Sequence, residues 1–186
     1  MDFFDRQEEL RRLQRVTAGR DGALVVVWGR RRIGKTRLLI EWVRHAKGVY
    51  WVADESAGSI QRRNLAETLE VRLPGFGQVE YRDWSSLLSR LAREARAAHF
   101  RGPLVLDEVP YLVGASPELP AVLQRFIDHD AKEAGLVVAL AGSSQRMMQG
   151  LTLAPNAPLY GRATELMKLR PIPAGYIGEA LHIEHA

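Results

Sequence analysis

Gly29-Arg30-Arg31-Arg32-Ile33-Gly34-Lys35-Thr36 spells G-x-x-x-x-G-K-T, directly after an apolar run and directly before the helical stripe Leu38, Leu39, Trp42 and Val43. The pattern arises by chance in about 0.2% of chains of this length and composition. Its chemistry is anion binding: glycines let a loop curl so that several backbone N–H groups converge, and a helix beginning at Lys35 adds its positive dipole end. The backbone of Gly29, Arg30, Arg31, Arg32, Ile33 and Gly34 would cradle a nucleotide polyphosphate, with Lys35 reaching the β and γ phosphates and Arg37 following in the first helical turn. The Thr36 hydroxyl would ligate a Mg2+ ion bridging those phosphates. Because backbone makes the cradle, some of the three guanidiniums are expected to point at water.

Leu104-Val105-Leu106-Asp107-Glu108 is an apolar run ending in two carboxylates. Asp107 would hold the Mg2+ through water, and Glu108 would polarise the water that attacks the γ phosphate. Such a pair alone could be a solvated strand end. Here it lies downstream of a phosphate loop with one further strand, Val49 to Ala53, between them. That added strand, the Glu after the Asp and the lack of an N-K-x-D sequence favour ATP over GTP. A carboxylate placed to activate water favours hydrolysis over phosphoryl transfer to a small molecule.

These residues need a scaffold, and the chain's hydrophobic pattern supplies one. Five apolar runs, Leu24 to Trp28, Val49 to Ala53, Leu104 to Asp107, Leu136 to Ala141 and Glu165 to Leu169, alternate with segments of helical period. Most are continuous, as strands covered on both faces are. Asp5 with Glu8 reads as a capping-box start for a helix carrying Leu10, Leu13 and Val16. Asp83 precedes the stripe Trp84, Leu87, Leu88, Leu91, Ala95 and Ala98. Ser116-Pro117 reads as an N-cap and first-turn proline, and residues 74–82 as a loop. The expectation is an α/β P-loop NTPase of the ASCE type: one five-stranded parallel sheet, order 5-1-4-3-2, with helices on both faces.

Length and composition agree with a single domain: 186 residues, 46% hydrophobic and 26% charged, enough for a full core. Zero cysteines exclude disulfides, cysteine-held metals and thiol chemistry. Apolar runs such as Leu136 to Ala141 fall far short of the ~20 residues that cross a bilayer. The acidic start MDFFDRQEEL is unlike a signal peptide, so a cytoplasmic chain with no membrane partner is expected. Net charge is +4, and 22 of the 26 basic residues are Arg, a skew read as compositional rather than as a nucleic-acid surface.

With these motifs in hand, the chain resembles the archaeal-type ATPases of the AAA+ and signal-transducing (STAND) end of the P-loop superfamily. FFDRQEELRRL is similar to that family's F-x-x-R-x-x-E-L opening, VVWGRRRIGKTRLL to its phosphate loop, LVLDEVPYL to its acidic motif, ALAGSSQRMM to its sensor strand and PLYGRATELMKLRP to its arginine segment. The resemblance runs from Phe4 to about Gly178. It implies ATP and Mg2+ as ligands, and a polar sensor of the γ phosphate at Ser143, with Ser144 the alternative. Ser144 reads equally well as the N-cap of a helix over residues 145–150. It also implies an arginine, Arg162, that completes a neighbour's site in a homo-oligomer, and a segment from Phe4 to Arg6 lying against the adenine. Relatives continue into a helical lid and often a winged helix; the sequence ends at Ala186, so residues 1–186 are expected to be the ATPase core without them.

The leading expectation is an ATP-binding domain that hydrolyses ATP slowly and acts as a nucleotide-dependent conformational switch. The alternative is an ATP-driven DNA-binding or DNA-processing module, for which Arg90, Arg93 and Arg96, flanked by Arg82 and Arg101, could track phosphates. Intact Lys35, Thr36, Asp107 and Glu108 argue against a degenerate scaffold. His182-x-x-His185 has a spacing that helical metal ligands use, but reads as an exposed tail.

Overall fold

The computed structural model describes residues 6–19 and 21–171. Five parallel strands, β1 (Ala23–Trp28), β2 (Val49–Val52), β3 (Leu104–Asp107), β4 (Val137–Gly142) and β5 (Ala163–Lys168), pair in the order β2-β3-β4-β1-β5. This is the order expected from the sequence. Successive side chains on a strand point to opposite faces. Val25, Val27, Val105, Ala139 and Ala141 therefore meet Leu10, Leu13, Leu38, Leu39 and Trp42 of helices α1 (Gln7–Ala18) and α2 (Lys35–Ala46) on one side. On the other side, Leu24, Val26, Leu104, Leu106, Val138 and Leu140 pack under α3 (Gly58–Leu69), α4 (Trp84–Ala97), α5 (Val109–Ala115) and α6 (Leu119–Arg125). Burial on both faces is why β1, β3 and β4 are continuous in apolarity, while β2 and β5 at the two ends of the order alternate in burial.

Chain direction decides where chemistry can sit. All five strands end on one edge of the sheet, and the connections leaving β1, β3 and β4 meet there.

Of three expected helix starts, one is as read from the sequence, one falls partly outside the described residues and one differs. Helix α1 begins after Arg6, which makes no side-chain cap; the expected cap Asp5 lies outside the described residues, as do Phe4, His182 and His185. Asp83 caps α4 as expected, accepting from Ser86 N–H at 2.8 Å. Ser116 does not start α6, which begins at Leu119 after Glu118. Instead it closes α5, donating its N–H to the Leu112 carbonyl, and its hydroxyl accepts the indole N–H of buried Trp84 at 2.8 Å. A buried indole N–H needs an acceptor more than a surface helix needs a cap. Ser116→Ala should therefore destabilise the fold by about 1–3 kcal/mol, read as a lower denaturant midpoint with an unchanged slope. An unchanged midpoint would mean that Trp84 finds another partner.

Helices α3 and α5 carried no sequence expectation. In α3 a polar residue, Gln61, holds a core-facing position and is fully buried, which obscures the apolar stripe of Leu65, Ala66 and Leu69.

The row of cations on α4 is also not what its spacing suggests. Arg90 folds inward over Phe76 and Tyr81, 5.1 and 5.6 Å from their ring centroids, pairs with Glu94 and donates to the Gly75 carbonyl. It pins the loop of residues 74–82, whose Gly75 and Gly77 N–H groups are held by Glu70. Arg93 and Arg96 remain exposed. A guanidinium whose planar face is satisfied by aromatics is not offered to a phosphate backbone.

Candidate nucleotide site

The phosphate loop leaves β1 through Gly29, where a Cβ would sit 2.5 Å from Ile33 Cδ1 and 2.7 Å from the Leu169 carbonyl oxygen; only glycine fits. Two further turns are left-handed, at Arg32 (φ +64) and Gly34 (φ +87). Such turns aim successive N–H groups into one concavity. Helix α2 follows with no side-chain cap, so its first N–H groups are open to an anion. Arg30, Arg31, Arg32 and Arg37 are all exposed, while Lys35, at 6% exposure, is not.

Alternation along β3 puts Asp107 on the same face as Val105, the face that α2 covers, so the carboxylate meets the start of that helix. Lys35 Nζ lies 3.6 Å from Asp107 Oδ1 and 3.6 Å from Glu108 Oε1. These separations are longer than a direct hydrogen bond and leave the ammonium available to phosphate oxygens. Thr36 donates its hydroxyl to Asp107 Oδ2 at 3.3 Å. A second hydroxyl reaches the same oxygen: Tyr50 on β2 donates to Asp107 Oδ2 at 2.8 Å. Burial, and then the Asp107 carboxylate, push the Tyr50 phenol well above its ordinary range, so it stays a donor. Sequence reading missed Tyr50; its only signal is its place on the strand between the loop and the acidic motif.

Glu108 is left-handed (φ +53, ψ +41), a conformation that costs a residue with a Cβ about 1–2 kcal/mol. The surroundings enforce it. Asp107 Oδ1 accepts the Glu108 N–H at 2.8 Å, and Glu108 Oε2 accepts the Ser143 hydroxyl at 2.9 Å and its N–H at 3.2 Å. The turn lifts Glu108 away from the strand face and aims it across the sheet edge toward the end of β4. The two serines thus divide: Ser143 faces Glu108, and Ser144 caps α7 (Gln145–Met148) by accepting from Met147 N–H.

Arg6 is 6% exposed and reaches the phosphate loop, donating to the Ile33 carbonyl at 3.0 Å and to the Arg170 carbonyl at 2.6 Å while pairing with Glu9. It ties the loop to the exit of β5. Arg162 is elsewhere. It precedes Ala163, whose register partner is Leu24 at the start of β1, so it stands at the opposite edge of the sheet, roughly 13 Å of strand from Trp28 at about 3.3 Å per residue. There it forms a two-pronged pair with Asp128, at 2.8 and 2.9 Å, and donates to the Pro158 and Tyr160 carbonyls; the Asp128 hydrogen bonds raise its pKa further. Among the described residues its partners are Asp128, Pro158 and Tyr160, none of them at the phosphate loop or the carboxylate pair.

The donors fit Mg2+. A hydroxyl and a carboxylate 3.3 Å apart at a strand end, both hard oxygens, are what an ion that keeps several waters takes from a protein. A groove of about 680 Å³ between α3 and residues 77–82 is lined by charges of both signs, including Arg62, Arg63, Glu67 and Glu80, and lies away from the phosphate loop.

A parallel sheet in this order, with a G-x-x-x-x-G-K-T loop after β1 and a carboxylate pair closing β3, defines a P-loop ATPase domain. The chain matches the model for ATPase domains predominantly from Archaea over residues 3–174, and it belongs to that family. It is 29% identical over 179 residues to an uncharacterized protein of Methanocaldococcus jannaschii, covering 95% of this chain and 38% of that protein. Solved structures share the fold: a Walker-type ATPase of Pyrococcus abyssi (TM-score 0.73, 19% identity, 100% of this chain and 61% of that one), and Cdc6p of Pyrobaculum aerophilum (0.69, 16%, 97% and 49%). The ORC2 protein of Aeropyrum pernix, solved as ADPNP-ADP complexes, is similar at 0.71, 15%, 97% and 51%. The chain thus spans between about a third and two thirds of the length of these relatives. Among the described residues no helix is long and apolar enough to cross a membrane.

Proposed function

We propose that the chain binds ATP with Mg2+, hydrolyses it slowly and uses the cycle as a conformational switch. The observation that carries this reading is the convergence of Lys35, Thr36, Asp107, Glu108 and Ser143 from three chain segments at one sheet edge. Thr36 and Asp107 would hold the ion, which when bound neutralises charge on the β and γ phosphates. Lys35 leaves its bridging position between the carboxylates and pairs with phosphate oxygens. Glu108 accepts a proton from water as the water oxygen bonds to the γ phosphorus; the bond from phosphorus to the β–γ bridging oxygen breaks, its electron pair leaving with ADP. Ser143 can hydrogen-bond either Glu108 or a γ-phosphate oxygen, so its partner changes with the nucleotide. That exchange would be transmitted to α7, which starts two residues later.

Calorimetry with ATP and GTP, with and without Mg2+, combined with phosphate release, tests this. ATP should bind more tightly than GTP, and chelating Mg2+ should abolish release. A chain that binds neither nucleotide, or prefers GTP, overturns the reading.

A further inference from the structure

A cavity of about 440 Å³ opens beside Glu108 and Ser143, on the side away from the face that α2 covers. Its lining includes two carboxylates, Glu55 and Glu108, and one basic residue, Arg31. Arg31 is the third residue of the phosphate loop, and its exposed side chain reaches across to α5. Nη2 donates to the Tyr111 hydroxyl at 3.1 Å, and Tyr111 stands on α5, the helix that Glu108 itself begins. Tyr111 is half-buried, so it is a fixed point on which a flexible arginine can be aimed. Backbone explains the cradle, but not why the Arg31 guanidinium is tethered beside Glu108, the group that would activate water.

The charge balance gives the tether a purpose. Lys35 is a single ammonium facing two carboxylates, and Arg162 is held at the far edge of the sheet by Asp128. A γ phosphate entering between the loop and Glu108 brings further negative charge to that side. We infer that Arg31 is a γ-phosphate contact supplied by the loop itself, with Tyr111 its positioning residue. Arg31 offers a planar fork: one N–H stays on the Tyr111 oxygen while others face phosphate oxygens, which a lysine could not do at once. The contact exists for ATP and is lost with ADP, so Arg31 would favour the triphosphate and offset charge developing during transfer.

The inference rests on the ATP reading above, and the experiment separates the two. Affinities for Mg-ADP and Mg-ATPγS are measured by calorimetry for the 186-residue chain and for Arg31→Ala, Arg31→Lys and Tyr111→Phe, together with single-turnover hydrolysis at several protein concentrations. Arg31→Ala should keep ADP affinity within about twofold, weaken ATPγS about tenfold and slow turnover by about 20- to 30-fold, the ratio between rates with and without an arginine in cis. Arg31→Lys should recover part of the ATPγS affinity, and Tyr111→Phe should shift both readouts in the same direction by a smaller factor. The turnover defect should be the same at every protein concentration, because the contact is internal. Equal loss of ADP and ATPγS in Arg31→Ala would show that the side chain only shapes the loop and would overturn the inference, as would wild-type behaviour of that variant. Failure of the unmutated chain to bind either nucleotide overturns the ATP reading, and this inference with it.

Discussion

Glu108→Gln is expected to slow ATP turnover by ~10²- to 10⁴-fold while Mg-ATP stays bound as tightly as in the unmutated chain or more so. Lys35→Ala is expected to lose the nucleotide itself. The two outcomes follow from what each side chain faces. Lys35 is nearly buried between two carboxylates, so its replacement leaves Asp107 and Glu108 without their cation just where phosphates must sit. Affinity falls because repulsion and an unpaired phosphate charge act together. Glu108, by contrast, meets Ser143 through one oxygen, and an amide oxygen can accept those two hydrogen bonds equally well. The left-handed turn at residue 108 is therefore retained by glutamine. What is lost is the proton acceptor, and removing one negative charge from the γ-phosphate side favours the triphosphate. Calorimetry for ATP and ADP on both variants, with phosphate release on the same samples, decides the matter. Equal loss of affinity in the two would make Glu108 structural.

Arg162→Ala is expected to reduce turnover by ~10³- to 10⁵-fold at protein concentrations where copies associate, and to be rescued by mixing with Glu108→Gln. Register puts Arg162 at the strand-start edge, away from its own phosphate loop, so any catalytic contact it makes must be with a neighbouring copy. Asp128 and two carbonyls hold the guanidinium in place. The pair is partly exposed, 27% and 34%, and partly exposed pairs contribute only about 0–1 kcal/mol, far less than a phosphate contact in a closed interface. Exchange of Asp128 for a neighbour's γ phosphate is therefore feasible. If Arg162 acts in trans and Glu108 is the base, each variant alone should be nearly inactive and mixed interfaces should restore activity. Mixtures that co-assemble but stay inactive at every ratio would assign Arg162 to its Asp128 contact alone. The Arg31 defect gains nothing from mixing at a shared interface, because its contact lies within one chain, which keeps the two arginines experimentally distinct.

The sheet and its order were legible because both rest on information that is local in sequence. Short continuous apolar runs rich in Val and Leu between helical segments fit strands covered on both sides, and a single strand between the phosphate loop and Asp107 sets the order once crossovers are right-handed. The G-x-x-x-x-G-K-T loop and the Asp107–Glu108 pair were legible for the same reason: each is a set of residue types at fixed short spacing. Ser116, Arg90 and Tyr50 were not legible. Each acts through a partner distant in the chain, Trp84 for the first, Phe76 and Tyr81 for the second, Asp107 for the third, and no spacing rule encodes which surface a side chain meets after the helices dock. The serine pair shows the boundary most clearly. Sequence alone places Ser143 and Ser144 at the end of β4 and allows either to serve as cap or sensor. Only the left-handed turn at Glu108, which sends its carboxylate across to β4, decides that Ser143 faces the site and Ser144 begins the helix, because a hydrogen bond 35 residues long in sequence is set by tertiary packing and by nothing local.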